Sequence, residues 1–127
     1  MGAHAVQQLA ARGLRVIGIE RFGPLHDRGS SHGDSRIIRL AYFEDPSYVP
    51  LLRRAYEKWA ALEARSRETL LIPTGIVQIG VPDGVLIDGV LRASAEHGIP
   101  HELLRAGEAR RRFPTLVTAD NEVAVFE

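Results

Sequence analysis

The stretch RGSSHGDSRIIRLAY, Arg28 to Tyr42, gathers residue types that can hold a polar ligand. Ser30, Ser31 and Ser35 offer hydroxyls that both donate and accept, and Gly29 and Gly33 let the backbone approach closely. His32 adds an imidazole that can hydrogen-bond a ligand or, more simply, the nearby backbone. Arg36 and Arg39 bracket Ile37 and Ile38. A guanidinium holds a carboxylate through two parallel hydrogen bonds, and a buried one needs such a partner. The two isoleucines are β-branched and favour an extended chain. In a strand the two arginines point to opposite faces; in a helix, three-residue spacing would put both on one face. A surface strand with two solvated arginines is the plainer alternative, since arginine is mostly exposed.

Several elements must position these residues. Gly2 to Arg12 carries Ala3, Val6, Leu9 and Ala10 at helical spacing, and Gly13 stands where a C-cap glycine is expected. Leu14 to Ile19 then reads as a buried strand ending on Glu20. A helix followed by a strand with a terminal acid is half of a dinucleotide-binding βαβ unit. Phosphates sit on the helix N-terminus there, and the acid takes ribose hydroxyls. Gly2 and Glu20 are separated as the last glycine and the acid of such a unit would be. The opening strand and first glycines are missing before Gly2, so a generic helix–strand pair with a solvated Glu20 fits as well.

Downstream, Phe43 to Ser47 reads as a turn with Asp45 or Ser47 as N-cap, followed by the longest helix, residues 48–68. Leu51, Leu52, Ala55, Trp59 and Leu62 form its apolar face, with Trp59 expected in the core. Leu71 to Gly80 reads as a strand, Val85 to Glu96 as an amphipathic helix stopped by Gly98 and Pro100, and His101 to Leu104 as a short extended piece. Ala106 to Phe113 reads as a helix whose arginines 110–112 form a solvated face, and Glu122 to Phe126 as a strand on which the chain ends.

Composition narrows the classes. With 45% hydrophobic and 25% charged residues, the chain is that of an ordinary globular domain. Sixteen basic residues balance sixteen acidic ones, which disfavours a nucleic-acid or membrane-surface partner. There is no cysteine, so no disulfide or thiolate chemistry. No apolar run is long enough to span a membrane, and no signal-peptide pattern opens the chain. The histidines show no ligand spacing, so no metal site is expected. These features describe a soluble cytoplasmic protein.

The GSSHG-x-SRIIR pattern resembles the flavin-contacting segment of the monomeric sarcosine oxidase family, which includes N-methyltryptophan and pipecolate oxidases in the D-amino-acid-oxidase-like group. The resemblance runs in order along nearly the whole chain: Gly2 to Gly13, Val16 to Phe22, Tyr48 to Leu51 with Trp59, Thr74 to Val77, and Arg112 to Pro114. It implies an α/β chain, α+β in its second part. Residues 1–70 would be a partial FAD-binding domain with a Rossmann-like βαβ unit, its first strand and first glycines missing. Residues 71–127 would begin a substrate-binding domain with a mixed sheet and helices. It implies an FAD-dependent oxidase of a secondary or N-methyl amino acid, producing an imine and hydrogen peroxide from oxygen. By the same resemblance Gly2, Glu20, Arg21, Ser30, Ser31, His32, Ser35 and Arg36 contact FAD, with His32 and Arg36 close to the reacting ring. Arg39, with Tyr42, takes the substrate carboxylate. The turn at 43–47 is either a lip at the substrate entrance or an ordinary loop. The family attaches flavin to a cysteine, and that attachment site is absent from this chain, which reads as a fragment that could self-associate. A truncated, non-catalytic α/β module with weak or no nucleotide binding is the alternative.

Overall fold

The computed structural model describes every residue except Met1, Pro24, Leu25 and Ser31. The chain divides into two compact units, Met1–Arg36 and Ile37–Glu127.

The first unit opens with helix α1, Gly2–Ala11. Gly13 ends it at φ +79°, and its N–H reaches Ala10 O at 2.9 Å. A left-handed turn of this kind is open to glycine without the Cβ penalty. Residues 14–20 belong to no helix and no ladder, which corrects the expected buried strand. Ile17 and Ile19 are 87% and 94% exposed. A strand is held by hydrogen bonds to a neighbour, and no described residue pairs with this segment. Its other side does pack: a Cβ on Gly18 would lie 3.3 Å from Val6 Cγ2, so glycine lets the chain rest against α1. The Rossmann-like detail thus reduces here to one helix and one segment outside any ladder.

The second unit holds the core. Asp45, one of the two N-cap candidates, caps a single 3-10 turn, Pro46–Tyr48, by accepting the Ser47 N–H at 2.8 Å. Helix α2, Val49–Ser66, continues from it. Its lone fully buried residue is Val49, and Trp59 is half-buried rather than central. The strand expected over 71–80 forms only at β1, Val77–Gly80. The N–H groups of Leu70 and Leu71 instead go to Glu63 Oε1, at 2.8 and 3.0 Å, and Gly75 at φ +72° turns the chain before pairing starts.

Helix α3, Val85–His97, buries Ile87, Val90, Ala93 and Ser94 on one stripe and stops at Gly98 in the left-handed region. Strand β2, Glu102–Arg105, helix α4, Ala106–Arg112, and strand β3, Val123–Phe126, complete the unit. The sheet has the order β1-β3-β2 and is antiparallel throughout, not mixed. Val125 lies opposite both Gln78 and Leu103. The core joins α3 to Ala41, Val49, Ile99 and Val125.

The arginine run of α4 is exposed, as expected, and two of its members are paired. Arg110 donates to Thr118 O at 2.6 Å and to Asp120 at 2.8 Å. Arg112 pairs with Glu102 and lies over the Phe126 ring at 4.7 Å. No helix among the described residues is long and apolar enough to cross a membrane.

Candidate functional site

Two constellations carry the predicted site residues, one in each unit. The first is a cleft of about 1220 Å³ whose lining includes Gly2, Gly18, Glu20, His26, Ser30 and His32. It opens on the N-terminus of α1. Gly2 stands there with nothing within 4 Å of a would-be Cβ, and the first backbone amides of a helix have no partner within it. Such an end favours anions by its amides and dipole together.

Glu20 is fixed at the cleft wall. It accepts the Phe22 N–H at 3.1 Å, and its other oxygen lies 3.5 Å from His26 Nε2. The Phe22 amide, then the His26 hydrogen bond, hold this carboxyl below the usual carboxylate range. His26 Nδ1 accepts the Arg28 N–H at 3.0 Å, so the proton sits on Nε2 and faces Glu20. An ionised carboxylate with lone pairs to spare suits a ligand offering two hydroxyl donors. His26 shows no ligand spacing in the sequence. Its pairing with Glu20 across six residues has no local sequence signal. Arg21 lies over the Phe22 ring at 5.6 Å, and the ring meets His26 edge-on at 5.2 Å.

The loop after it is closed by Arg36. Its guanidinium donates to Ser35 O at 2.6 Å and to Ser30 O at 2.8 Å. Gly33, at φ +109°, makes room: a Cβ there would stand 3.0 Å from Arg36 Nη1. Arg36 is exposed and turned onto its own loop, not buried in a strand. His32 is exposed and bonds Gly29 O through Nδ1, the simpler of the two contacts foreseen for it. Ser31 lies outside the described residues. Ser30 and Ser35 are exposed at the loop surface.

The second constellation surrounds Arg39, in a segment that forms no strand despite its isoleucines. Ile37 is 82% exposed, while Leu40 is half-buried and Ala41 fully buried. The guanidinium of Arg39 lies 4.4 Å over the Tyr42 ring and 5.8 Å from that of Phe43. Tyr42 in turn packs on Tyr48 at 5.3 Å. The structure thus brings together Arg39 and Tyr42. Arg39 Nη2 reaches both oxygens of Glu44 at only 3.4 Å, while strong charge-assisted pairs close to about 2.7–2.9 Å. Its Nε is buried and has no partner among the described residues. This cation therefore keeps donor capacity for a further carboxylate.

Sequence reasoning missed two residues that hold this segment. Glu127 accepts the Ala41 N–H at 2.9 Å through both oxygens, and Gln78 donates to Ala41 O at 3.4 Å. Both lie more than thirty residues away, and nothing local marks them. Among the described residues no cluster of His, Asp or Glu is arranged to hold a metal.

The whole chain, residues 1–127, matches the family described as FAD dependent oxidoreductase. It is 50% identical over its full length to a monomeric sarcosine oxidase of Streptomyces avermitilis, covering 33% of that protein. It is 37% identical to a monomeric sarcosine oxidase of a Bacillus species, again covering 33%. It is 35% identical to an N-methyl-L-tryptophan oxidase of Yersinia pestis, covering 34%. The chain therefore spans about a third of the length of these curated relatives.

Proposed function

From the premise that this chain belongs to the FAD dependent oxidoreductase family, we propose that it serves an oxidase of a secondary or N-methyl amino acid. The single observation that carries this reading is Arg39, a half-buried cation whose Nε has no partner among the described residues and which has only a loose hold on Glu44, stacked on Tyr42. Those features suit recognition of a small carboxylate beside an apolar surface.

The residues of the first cleft fit FAD. The open N-terminus of α1 at Gly2 suits a diphosphate, and ionised Glu20 suits ribose hydroxyls. Arg21, Ser30, Ser31, Ser35, His32 and Arg36 would complete the hold, the last two as the polar contacts of the ring system. When bound, the flavin supplies two-electron oxidation of the carbon beside the substrate nitrogen, with oxygen as final acceptor and imine and hydrogen peroxide as products. Arg39 orients the substrate by its carboxylate, and Tyr42 shields that ion pair from water and so strengthens it. His32 and Arg36, as hydrogen-bond donors, favour negative charge in their surroundings. Glu44, on the 43–47 turn, occupies Arg39 weakly and is readily displaced, as an entrance lip requires. Residues 1–70 would then belong to the cofactor domain and 71–127 to the start of the substrate domain.

The test is a crossed substitution in the full-length protein, assayed with N-methylglycine by peroxide release. Arg39→Lys keeps the charge but loses the fork. It is expected to raise KM by roughly ten- to a hundred-fold, the equivalent of about 1.5–3 kcal/mol, and to leave FAD absorbance unchanged. Arg36→Lys is expected to do the reverse, shifting the flavin spectrum and sparing KM. Equal effects of both changes on KM would overturn these assignments, and no peroxide from any N-methyl or other secondary amino acid would overturn the reaction.

A further inference from the structure

Residues 38–41 belong to no strand, yet three side chains do the work of a ladder for them. Tyr56, on α2, donates its hydroxyl to Ile38 O at 3.2 Å. Gln78, on β1, donates to Ala41 O at 3.4 Å. Glu127, just beyond β3, accepts the Ala41 N–H at 2.9 Å. Glu127 is itself held at its main chain, where Ile76 N–H donates to its carbonyl at 2.9 Å and its own N–H donates to Ile76 O at 3.1 Å. Its carboxylate therefore projects from a fixed point of the sheet onto the backbone two residues beyond Arg39.

Backbone satisfaction alone does not call for an acid here. One amide needs one acceptor, and a neutral side chain of the same length supplies it. A carboxylate taken partly out of water is costlier, and burial does raise the Glu127 carboxyl above its usual range. The Ala41 amide and the nearby Arg39 charge partly offset that rise. The same residue thus grips the chain beside Arg39 and feels the charge of Arg39.

We propose that Glu127 is a positioning residue for Arg39: by holding the Ala41 N–H from the fixed end of β3, it sets the backbone from which Arg39 and Tyr42 project, and so governs the affinity for the substrate carboxylate without touching the substrate. Reach, more than charge, is what the role demands. The inference rests on the reading of Arg39 as the carboxylate contact.

Propionate, a carboxylate without the reacting amine, is titrated into the FAD-loaded full-length protein by calorimetry, so that turnover plays no part. Glu127→Ala removes the grip, and Glu127→Asp keeps the charge but falls one methylene short. Both are expected to weaken propionate by about ten-fold, with FAD content unchanged. Glu127→Gln keeps both length and acceptor, and is expected to bind propionate within about two-fold of the parent or more tightly. Should the alanine variant fail to fold, the aspartate and glutamine variants carry the comparison alone. Parental affinity in the aspartate variant, or a ten-fold loss in the glutamine variant, overturns the proposal. Arg39→Lys is measured beside them. If it leaves propionate affinity unaltered, Arg39 is not the carboxylate contact and the reading beneath the proposal fails instead.

Discussion

At the scale of single residues, the charged groups here divide by the sign of their link to pH. Glu20, Asp45 and Glu63 each accept backbone amides and are held below the usual carboxylate range, so what they contribute to stability is lost as pH falls through their folded values. Glu127 works the other way. Burial raises its carboxyl above 4.5, so the native state holds that proton more tightly than the unfolded chain does. Its favourable contribution is complete below the unfolded value and is lost as pH rises through the raised folded one. Glu127→Gln removes this dependence and leaves the others in place. The substituted protein is therefore expected to gain stability relative to the parent as pH is raised from about 4 to 7, read by urea unfolding at several pH values. Identical pH slopes for the two proteins would refute a raised Glu127.

At the scale of elements, α3 and the 43–47 turn are fitted to one another at a glycine. Gly89 sits in mid-helix, where glycine costs about 1 kcal/mol against alanine. It is tolerated because the backbone of Phe43 passes over it: a Cβ would overlap Phe43 O and come within 2.8 Å of its Cα. The obstacle is main chain, which cannot rotate aside as a side chain would. Gly89→Ala is thus expected to gain helix propensity and still lose stability, by about 1–3 kcal/mol for the overpacking. It should also push the turn off α3 and disturb the Asp45 cap. A lowered melting temperature together with altered carboxylate binding is the expected pair of readings. A rise in melting temperature would show that the turn yields freely.

At the scale of the whole molecule, the core belongs to one unit. Every buried residue of the hydrophobic cluster lies between Ala41 and Val125, and no described residue of Met1–Arg36 is fully buried. Stability should be distributed accordingly. Amide exchange is expected to be slow in α3 and β3 and fast over residues 14–22. Saturating FAD should slow exchange at the start of α1 and over 18–22, where its diphosphate and ribose would sit. Protection by FAD confined to other segments would mean that this cleft is not the cofactor's. Ile17 and Ile19 stand bare on the 14–20 segment, which has no strand partner among the described residues.

Local chemistry was enough for the sequence by itself to determine the helices and their approximate ends, a cap at Asp45 or Ser47, and the loop that Gly29 and Gly33 permit. Apolar spacing, capping and left-handed glycines act within a few residues, so they are written where they operate. The GSSHG-x-SRIIR pattern likewise carried the family. Pairing was decided elsewhere. The β-branched residues at 16–19 and 37–38 favour extension, but extension becomes a strand only when a neighbour supplies the other half of each hydrogen bond. Residues 14–20 have no such neighbour among the described residues, and 38–41 meet the side chains of Tyr56, Gln78 and Glu127 instead. Only the tertiary structure could also turn Arg36 back onto Ser30 and Ser35 while leaving Arg39 Nε buried without a partner among the described residues. Two arginines three residues apart have the same chemistry in the sequence, and the groups that surround each one set what it can bind.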